Sequence, residues 1–462
     1  MTTSKPRETK PEGTPVPKAQ AQAQVQKAAT EEKTKAGNYF IANYPPFSFW
    51  KKDKAHELLE RIEQPPAPDT PLGVYLHVPF CRKRCHFCYF RIYTGKNSSE
   101  IQTYLDGALH ELELHAAKPI IGDRKPKVVY FGGGTPSYLS VRQLTELSEA
   151  MKAKLPWDEA EEITFECEPG TLSEPKLDFL RQMGVTRLSL GVEHFDQEIL
   201  ELNGRAHGAA DIGRAWDHAR KVDFPQINID LIAGMMGETE EKWQDAVAKT
   251  IALEPESVTI YQMEIPFNTT IYQRMKDSGR DIAPVADWET KRRWVAEAFE
   301  RLESAGYSIN STCTAVRDPK VTKFRYREML FSGADLVSLG VASFGHLGGV
   351  HYQNEHDWDD YLSRLDKGEL PIRRALTPTA EEHLVREFVL QFKLGSVDVD
   401  RFRERFGVDV DERFAGPLEN LRRQGFLHND GSRRVLSREA LLRVDELMHD
   451  FFLPEHKDAR YT

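Results

Sequence analysis

The sequence predicts an α/β protein. A partial, open (β/α)6 barrel is followed by a smaller C-terminal helical, winged-helix-like domain and preceded by a disordered tail. Three observations lead there. From residue 72, short apolar strands alternate with amphipathic helices, the pattern of a parallel sheet covered by helices. After roughly residue 375 the strands give way to helices. Residues 1 to about 38 are rich in Lys, Glu, Thr, Pro, Ala and Gln, with the run AQAQAQVQ and almost no large apolar side chains. Such a segment cannot bury enough surface to offset the entropy of ordering.

Taken in order, residues 1–38 form the tail and 39–71 an N-terminal segment. NYFIANYPPFSFW (38–50) is aromatic and is expected to pack on the main body, and EQPPAPDTP (63–71) reads as a linker. Residues 72–375 form the barrel with a substrate-side extension. Its expected strands are GVYLHV (73–78), KVVYFG (127–132), EITFEC (162–167), RLSLGV (187–192), INIDLI (227–232), SVTIYQ (257–262) and YSIN (307–310). Helices are expected over 104–116, 141–155, 175–183 and 287–306. Six or so units fall short of a closed eight-fold barrel. Residues 376–462 read as a winged-helix-like module or, alternatively, a small helical cap.

The whole chain narrows the function class. Its 462 residues suffice for one large and one small domain. A net charge of -10 argues against a nucleic-acid partner. No run approaches the ~18 apolar residues of a membrane helix, and no apolar leader opens the chain. Of the 5 Cys, three lie within eight residues. That pattern argues against a disulfide framework and for a reducing cytoplasm.

Those three are Cys81, Cys85 and Cys88, spaced C-x3-C-x2-C directly after the first strand. A loop at a strand's C-terminal end is where barrels place their chemistry. Thiolates ligate iron in iron–sulfur clusters or zinc. Structural zinc sites and electron-transfer clusters use four ligands, and Cys167 and Cys313 stand alone. Three sulfurs on a [4Fe–4S] cluster leave one iron open to chelate S-adenosylmethionine (SAM) and reduce its sulfonium to a 5′-deoxyadenosyl radical. Zinc with His86 as fourth ligand is the alternative. Arg82, Lys83 and Arg84 read as charges of a solvated loop, or as a docking point for an acidic reductant such as flavodoxin or ferredoxin.

Beside this loop, Gly132, Gly133, Gly134 and Thr135 follow the second strand, where glycines let backbone approach a ligand. Glu166 and Glu168, two residues apart, are expected on one face at the end of the third strand. Glu193 and Asp230 sit on later strands, and buried acids there need partners. Arg205, in LNGRAHG, is placed to pair with the SAM carboxylate or to cap a helix.

YLHVPFCRKRCHFC, YFGGGTPSYL, ITFECEP, RLSLGVEHFD, LNGRAHG and NIDLIAG, in this order, resemble the oxygen-independent coproporphyrinogen III oxidase family of radical SAM enzymes. Heme chaperones and class C radical SAM methyltransferases are its other branches. The resemblance spans roughly residues 70–350 and extends to the C-terminal module. It implies that Tyr75 lies beside a first SAM, with catalytic roles for Tyr75 and Glu166. Phe87, Gly133, Gly134 and Thr135 are implied as SAM contacts. Glu166, Arg205 and Asp230 belong to a two-SAM site. Glu193 stands where the oxidases carry Gln, and Glu264 and Phe344 fall at the remaining SAM positions but differ in type. Phe90 replaces a fourth Cys, KFRYR (323–327) replaces N-F-Q-G-Y, and Gly234-Met235-Met236 replaces G-L-P. These departures put decarboxylation in doubt and point toward C-methylation. The expected substrate is a small molecule, tetrapyrrole-like, and the third reading is a heme chaperone without turnover.

Overall fold

The computed structural model describes residues 33–37, 39–280, 282–457 and 459. Most of the expected tail therefore lies outside the described residues. Residues 33–37 depart from the tail reading. Thr34 is 1% exposed, and Lys35 and Gly37 form bridges to Ile282 and Ile265. The Thr34 hydroxyl accepts a bond from the buried ammonium of Lys291 at 2.6 Å, which ties this stretch down.

Six parallel strands follow in sequence order: β1 (Leu72–Val78), β2 (Val128–Gly133), β3 (Glu162–Cys167), β4 (Arg187–Glu193), β5 (Gln226–Ala233) and β6 (Ser257–Gln262). Alternation explains both faces. Val74, Leu76, Val78, Ile163, Phe165, Leu188, Leu190, Ile227, Ile229, Val258 and Ile260 join the helices in one core. Tyr75, Glu166, Ser189, Asp230 and Thr259, out of phase with them, occupy the other face. Burying each aliphatic side chain stabilises by about 1.5–3 kcal/mol, so the pattern fixes which face turns inward. The helices begin at defined caps. The Asn97 side chain accepts from the Glu100 amide at 3.0 Å while Glu100 accepts from the Asn97 amide at 2.9 Å, starting helix Ser98–Ala116.

The sheet is larger than the sequence suggests. Strands β7 (Ser308–Ile309), β8 (Thr314–Val316), β9 (Asp335–Leu339), β10 (Phe344–Leu347), β11 (Val350–Asn354) and β12 (Ile372–Leu376) complete twelve, ordered β12-β11-β10-β9-β1-β2-β3-β4-β5-β6-β8-β7. Strand β9 pairs parallel with β1, giving a seventh parallel strand, and the sheet ends in antiparallel pairs on both sides. Sequence periodicity missed β8 to β12. The β10–β11 hairpin buries His346, His351, Gln353 and Asn354, so no apolar alternation marks it. Strand order leaves the barrel open, with β12 and β7 as its edges.

A second core holds the C-terminal module together with Ile41 and Tyr44 of the N-terminal segment. Helix Ala380–Phe392 leads into β13 (Ser396–Asp398), then helices Val399–Phe406 and Ala415–Arg423, then the hairpin β14 (Leu427–Asp430) and β15 (Arg433–Leu436). The three strands pair in the order β13-β15-β14. Helix, strand, helices and a terminal hairpin are the winged-helix order rather than a plain helical cap. No helix of the described residues is long and apolar enough to cross a membrane.

Candidate functional site

The inward faces of the parallel strands and the loops at their C-terminal ends enclose a cavity of about 1080 Å³. Cys81, Cys85 and Cys88 line one side of it. Their loop is pinned at several points. The Cys81 amide donates to Tyr93 O at 3.1 Å, and the His86 amide donates to Asn203 O at 2.9 Å. The His86 ring bonds through Nδ1 to Leu202 O at 3.0 Å, which orients the ring. Among the described residues, no three His, Cys, Asp or Glu side chains converge on a single ion.

Arg82 is not a freely solvated charge. It forks onto both oxygens of Glu168, and Glu168 also meets His207 Nδ1 at 3.2 Å. Glu166 and Glu168 both line the cavity, in keeping with their spacing of two. Strand β3 ends at Cys167, and Glu168, still extended, meets Arg82 of the cysteine loop. Nothing local signals this network, because its members lie far apart in sequence.

Donors point at two of the three sulfurs. Thr135 Oγ1 donates to Cys81 Sγ and Arg205 Nη1 to Cys85 Sγ, each at 3.3 Å. Burial pushes the thiols of Cys81 and Cys88 up, to about 12 and about 11. A bound group must therefore supply positive charge to hold thiolates here, as iron does. The residues fit a cluster with SAM on one further ground. Arg205 Nε is buried without a partner. A side chain at Gly134 would press on Val78 O and Phe80 N, at 2.8 and 3.0 Å, so the glycine turn lies flush against the cluster strand. Gly133 holds φ at 109°, where a Cβ would collide with the His77 ring.

Acidic groups line the wall beside this turn. Glu166 accepts from Tyr130 Oη at 2.6 Å and from the Gly133 amide at 3.0 Å. Asp230 accepts from Ser189 Oγ and Asn228 Nδ2, both at 2.9 Å. A register shift between Gly191 and Glu193 swings Glu193 to φ 63°, with its carboxylate 3.5 Å from Arg205 Nη2. Burial pushes Glu193 up to about 7 against the opposing Arg205 charge, and burial with the Asp445 charge pushes Glu264 up to about 8. Burial likewise raises Glu166 to about 6 despite its two donors, and raises Asp230. Such clustering of perturbed acids in one cavity marks a functional site.

The structure brings most of the sequence-derived residues together. The cysteines, Phe87, Gly133, Gly134, Thr135, Glu166, Glu193, Arg205, Asp230 and Glu264 all line the cavity. Two residues depart from that expectation. Tyr75 does not line it; its hydroxyl lies 3.1 Å from His77 Nδ1 and its ring packs near Tyr130 and Tyr326. Phe344 begins β10, beyond β9, and packs on Phe47 and Trp50 with ring centroids 4.4 and 5.6 Å away. Sequence reasoning missed the lining residues Tyr39, Tyr89, Arg187, Tyr261 and Trp288. Only Tyr89, beside Cys88, carries a local hint.

This loop, turn and acidic wall on an open parallel barrel define a radical SAM protein, and the radical SAM superfamily is matched over residues 75–249. The HemN C-terminal domain is matched over residues 379–443. The chain thus carries both a radical SAM domain and a HemN C-terminal domain, and the proteins it is similar to are named oxygen-independent coproporphyrinogen III oxidases and heme chaperones. Heme chaperone HemW of Bacillus subtilis is 28% identical over 384 residues, covering 82% of this chain and 98% of that protein. Oxygen-independent coproporphyrinogen III oxidase of Pseudomonas aeruginosa is 27% identical over 413 residues, covering 85% and 88%. Coproporphyrinogen III oxidase (HemN) of Escherichia coli, a radical SAM enzyme, shares the fold with a TM-score of 0.76 at 22% identity, covering 91% of this chain and 99% of that one. The radical SAM domain implies SAM and a [4Fe–4S] cluster.

Proposed function

We propose that this protein reductively cleaves SAM at a [4Fe–4S] cluster held by Cys81, Cys85 and Cys88, and acts on a tetrapyrrole-like or related unsaturated substrate. Oxidative decarboxylation is the reference reaction. The observation that carries this reading is the convergence of three loop thiols, Arg205 and four acids on one cavity. When bound, the cluster supplies the electron that opens the sulfonium's C–S bond. The chain's own residues do the rest. Thr135 and Arg205 donate to sulfur. Glu166, Glu193 and Asp230 favour a cation at the wall beside them. Arg205, through its free Nε, takes a carboxylate. The cavity volume supports room for a second SAM beside the substrate, and an acidic flavodoxin or ferredoxin is the proposed reductant, met by the exposed Lys83. With a net charge of -10, no nucleic-acid partner is proposed.

The second reading is a heme chaperone, supported by the resemblance to HemW along nearly that protein's full length. Anaerobic reconstitution tests both. About four irons per chain are expected, and Cys88→Ala should lose them. 5′-Deoxyadenosine with CO2 supports decarboxylation, and 5′-deoxyadenosine with S-adenosylhomocysteine supports C-methylation. Tight heme uptake without an adenosyl product supports the chaperone. Zinc in place of iron would overturn all three.

A further inference from the structure

We propose that Tyr89 and Phe90, directly after the third cluster cysteine, form a stacking shelf for a flat conjugated ring of the substrate. The proposal rests on the reading above, since it takes this cavity to be where the substrate binds. Both rings line the cavity and lie 4.6 Å apart at 32°. They remain 39% and 47% exposed. Ten large hydrophobic side chains are this exposed among the described residues, and four of them, Tyr39, Tyr89, Phe90 and Tyr261, line this one cavity. Apolar residues exposed singly need no explanation, but a concentration of them marks a binding surface.

The four are all aromatic. Aromatic faces carry a quadrupole and prefer offset stacking on other π systems. An aliphatic ligand would gain only area from them, whereas a planar conjugated ring gains area and stacking together.

The shelf is held from beneath. Asn268 Nδ2 donates to the Tyr89 carbonyl at 2.8 Å. Arg84 Nη2 donates to the carbonyls of Cys88 and Phe90 at 3.1 and 3.4 Å. The three consecutive carbonyls of Cys88, Tyr89 and Phe90 are thereby pinned, so the backbone that carries both rings is held in place. Little conformational entropy is lost when a ligand settles on them, which is how preorganised sites gain affinity. The cavity, at about 1080 Å³, lies just above the roughly 300–1,000 Å³ usual for small-molecule sites. That leaves space for a broad ring beside the cosubstrate.

The test uses the full-length, anaerobically reconstituted protein, with protoporphyrin IX as a flat conjugated probe. Binding is read by fluorescence quenching, SAM binding by equilibrium dialysis, and iron by colorimetric assay. Phe90→Ala should weaken protoporphyrin IX about tenfold, and Phe90→Trp should restore it. SAM affinity and iron content should stay at the wild-type level in both. Equal probe affinity in Phe90→Ala and wild type would overturn the shelf alone. A parallel loss of SAM affinity would also overturn it, by showing that the rings hold the cosubstrate's adenine. Wild-type protein that binds SAM but not the probe would overturn the shelf, whereas the tetrapyrrole reading stands or falls separately on the products of the reconstituted protein.

Discussion

Arg82 and Glu168 stand 86 positions apart and meet in a two-pronged ion pair, with Arg82 Nη2 at 2.9 and 3.0 Å from the two carboxylate oxygens. One partner sits in the cluster loop and the other just past β3. Glu168 is itself fixed by the Gly170 amide at 3.1 Å and by its own amide on Ser137 Oγ at 3.0 Å. A bidentate guanidinium–carboxylate pair fixes orientation as well as distance. The pair thus ties the loop carrying Cys81 and Cys85 to the barrel. Arg82→Met and Glu168→Gln should fold normally by circular dichroism yet release iron faster to a chelator after reconstitution. Arg82→Lys, which keeps charge without the fork, should restore retention only in part. Unchanged iron release in all three would remove this role.

Gly134 makes a sharper test of the same loop. A methyl group there meets two backbone atoms that no side-chain rotation can move. Gly134→Ala should push the glycine turn from the end of β1 and lower SAM affinity about fivefold or more, an overpacking cost of about 1–3 kcal/mol. Equilibrium dialysis of reconstituted protein would read it, and wild-type affinity would count against the close approach.

Arg205 joins Cys85 Sγ, Gly191 O and Glu193 through one guanidinium. A lysine keeps the charge but can satisfy only part of that set. Arg205→Lys should therefore weaken SAM binding by about tenfold or more and shift the cluster's midpoint potential, because a donor to a ligating sulfur is lost. Potentiometry followed by electron paramagnetic resonance separates this from simple misfolding, which would remove the signal.

His115 lies far from the site, on helix Ser98–Ala116, with both ring nitrogens buried and unpartnered. Burial, helped by Lys118, depresses it to about 3. The unfolded chain binds this proton near the ordinary value of about 6.5. Its contribution is therefore fully present above that value and is lost as pH falls toward about 3, by at most about 1.4 kcal/mol per pH unit. His115→Phe should flatten that part of the acid slope. It should also stabilise at neutral pH by about 1 kcal/mol, since an unsatisfied buried group is removed. Urea melts of both proteins between pH 7 and 4.5 check the prediction, and parallel slopes would contradict it.

Most of the site was readable because its residues are local. The C-x3-C-x2-C spacing, the glycine turn and the inward acids of β3 to β5 each follow from a short run and a period of two. Tyr75 and Phe344 show where that reasoning stops. Both match by position in the chain, yet Tyr75 is taken up by His77 and Phe344 by Phe47 and Trp50. Which neighbour a ring meets depends on strands and segments that pair at long range.

By itself the sequence determined the open parallel barrel, because alternating apolar residues can bury only one face of each strand. It also determined the three-thiol loop, because three cysteines written within eight residues need no distant partner to be recognised. Only the tertiary structure decided that Arg82 is a strut, that β9 to β12 extend the sheet, and that Tyr89 and Phe90 face the cavity. Those outcomes depend on pairings between residues far apart in the chain and on polar side chains buried with partners, and neither leaves a periodic trace.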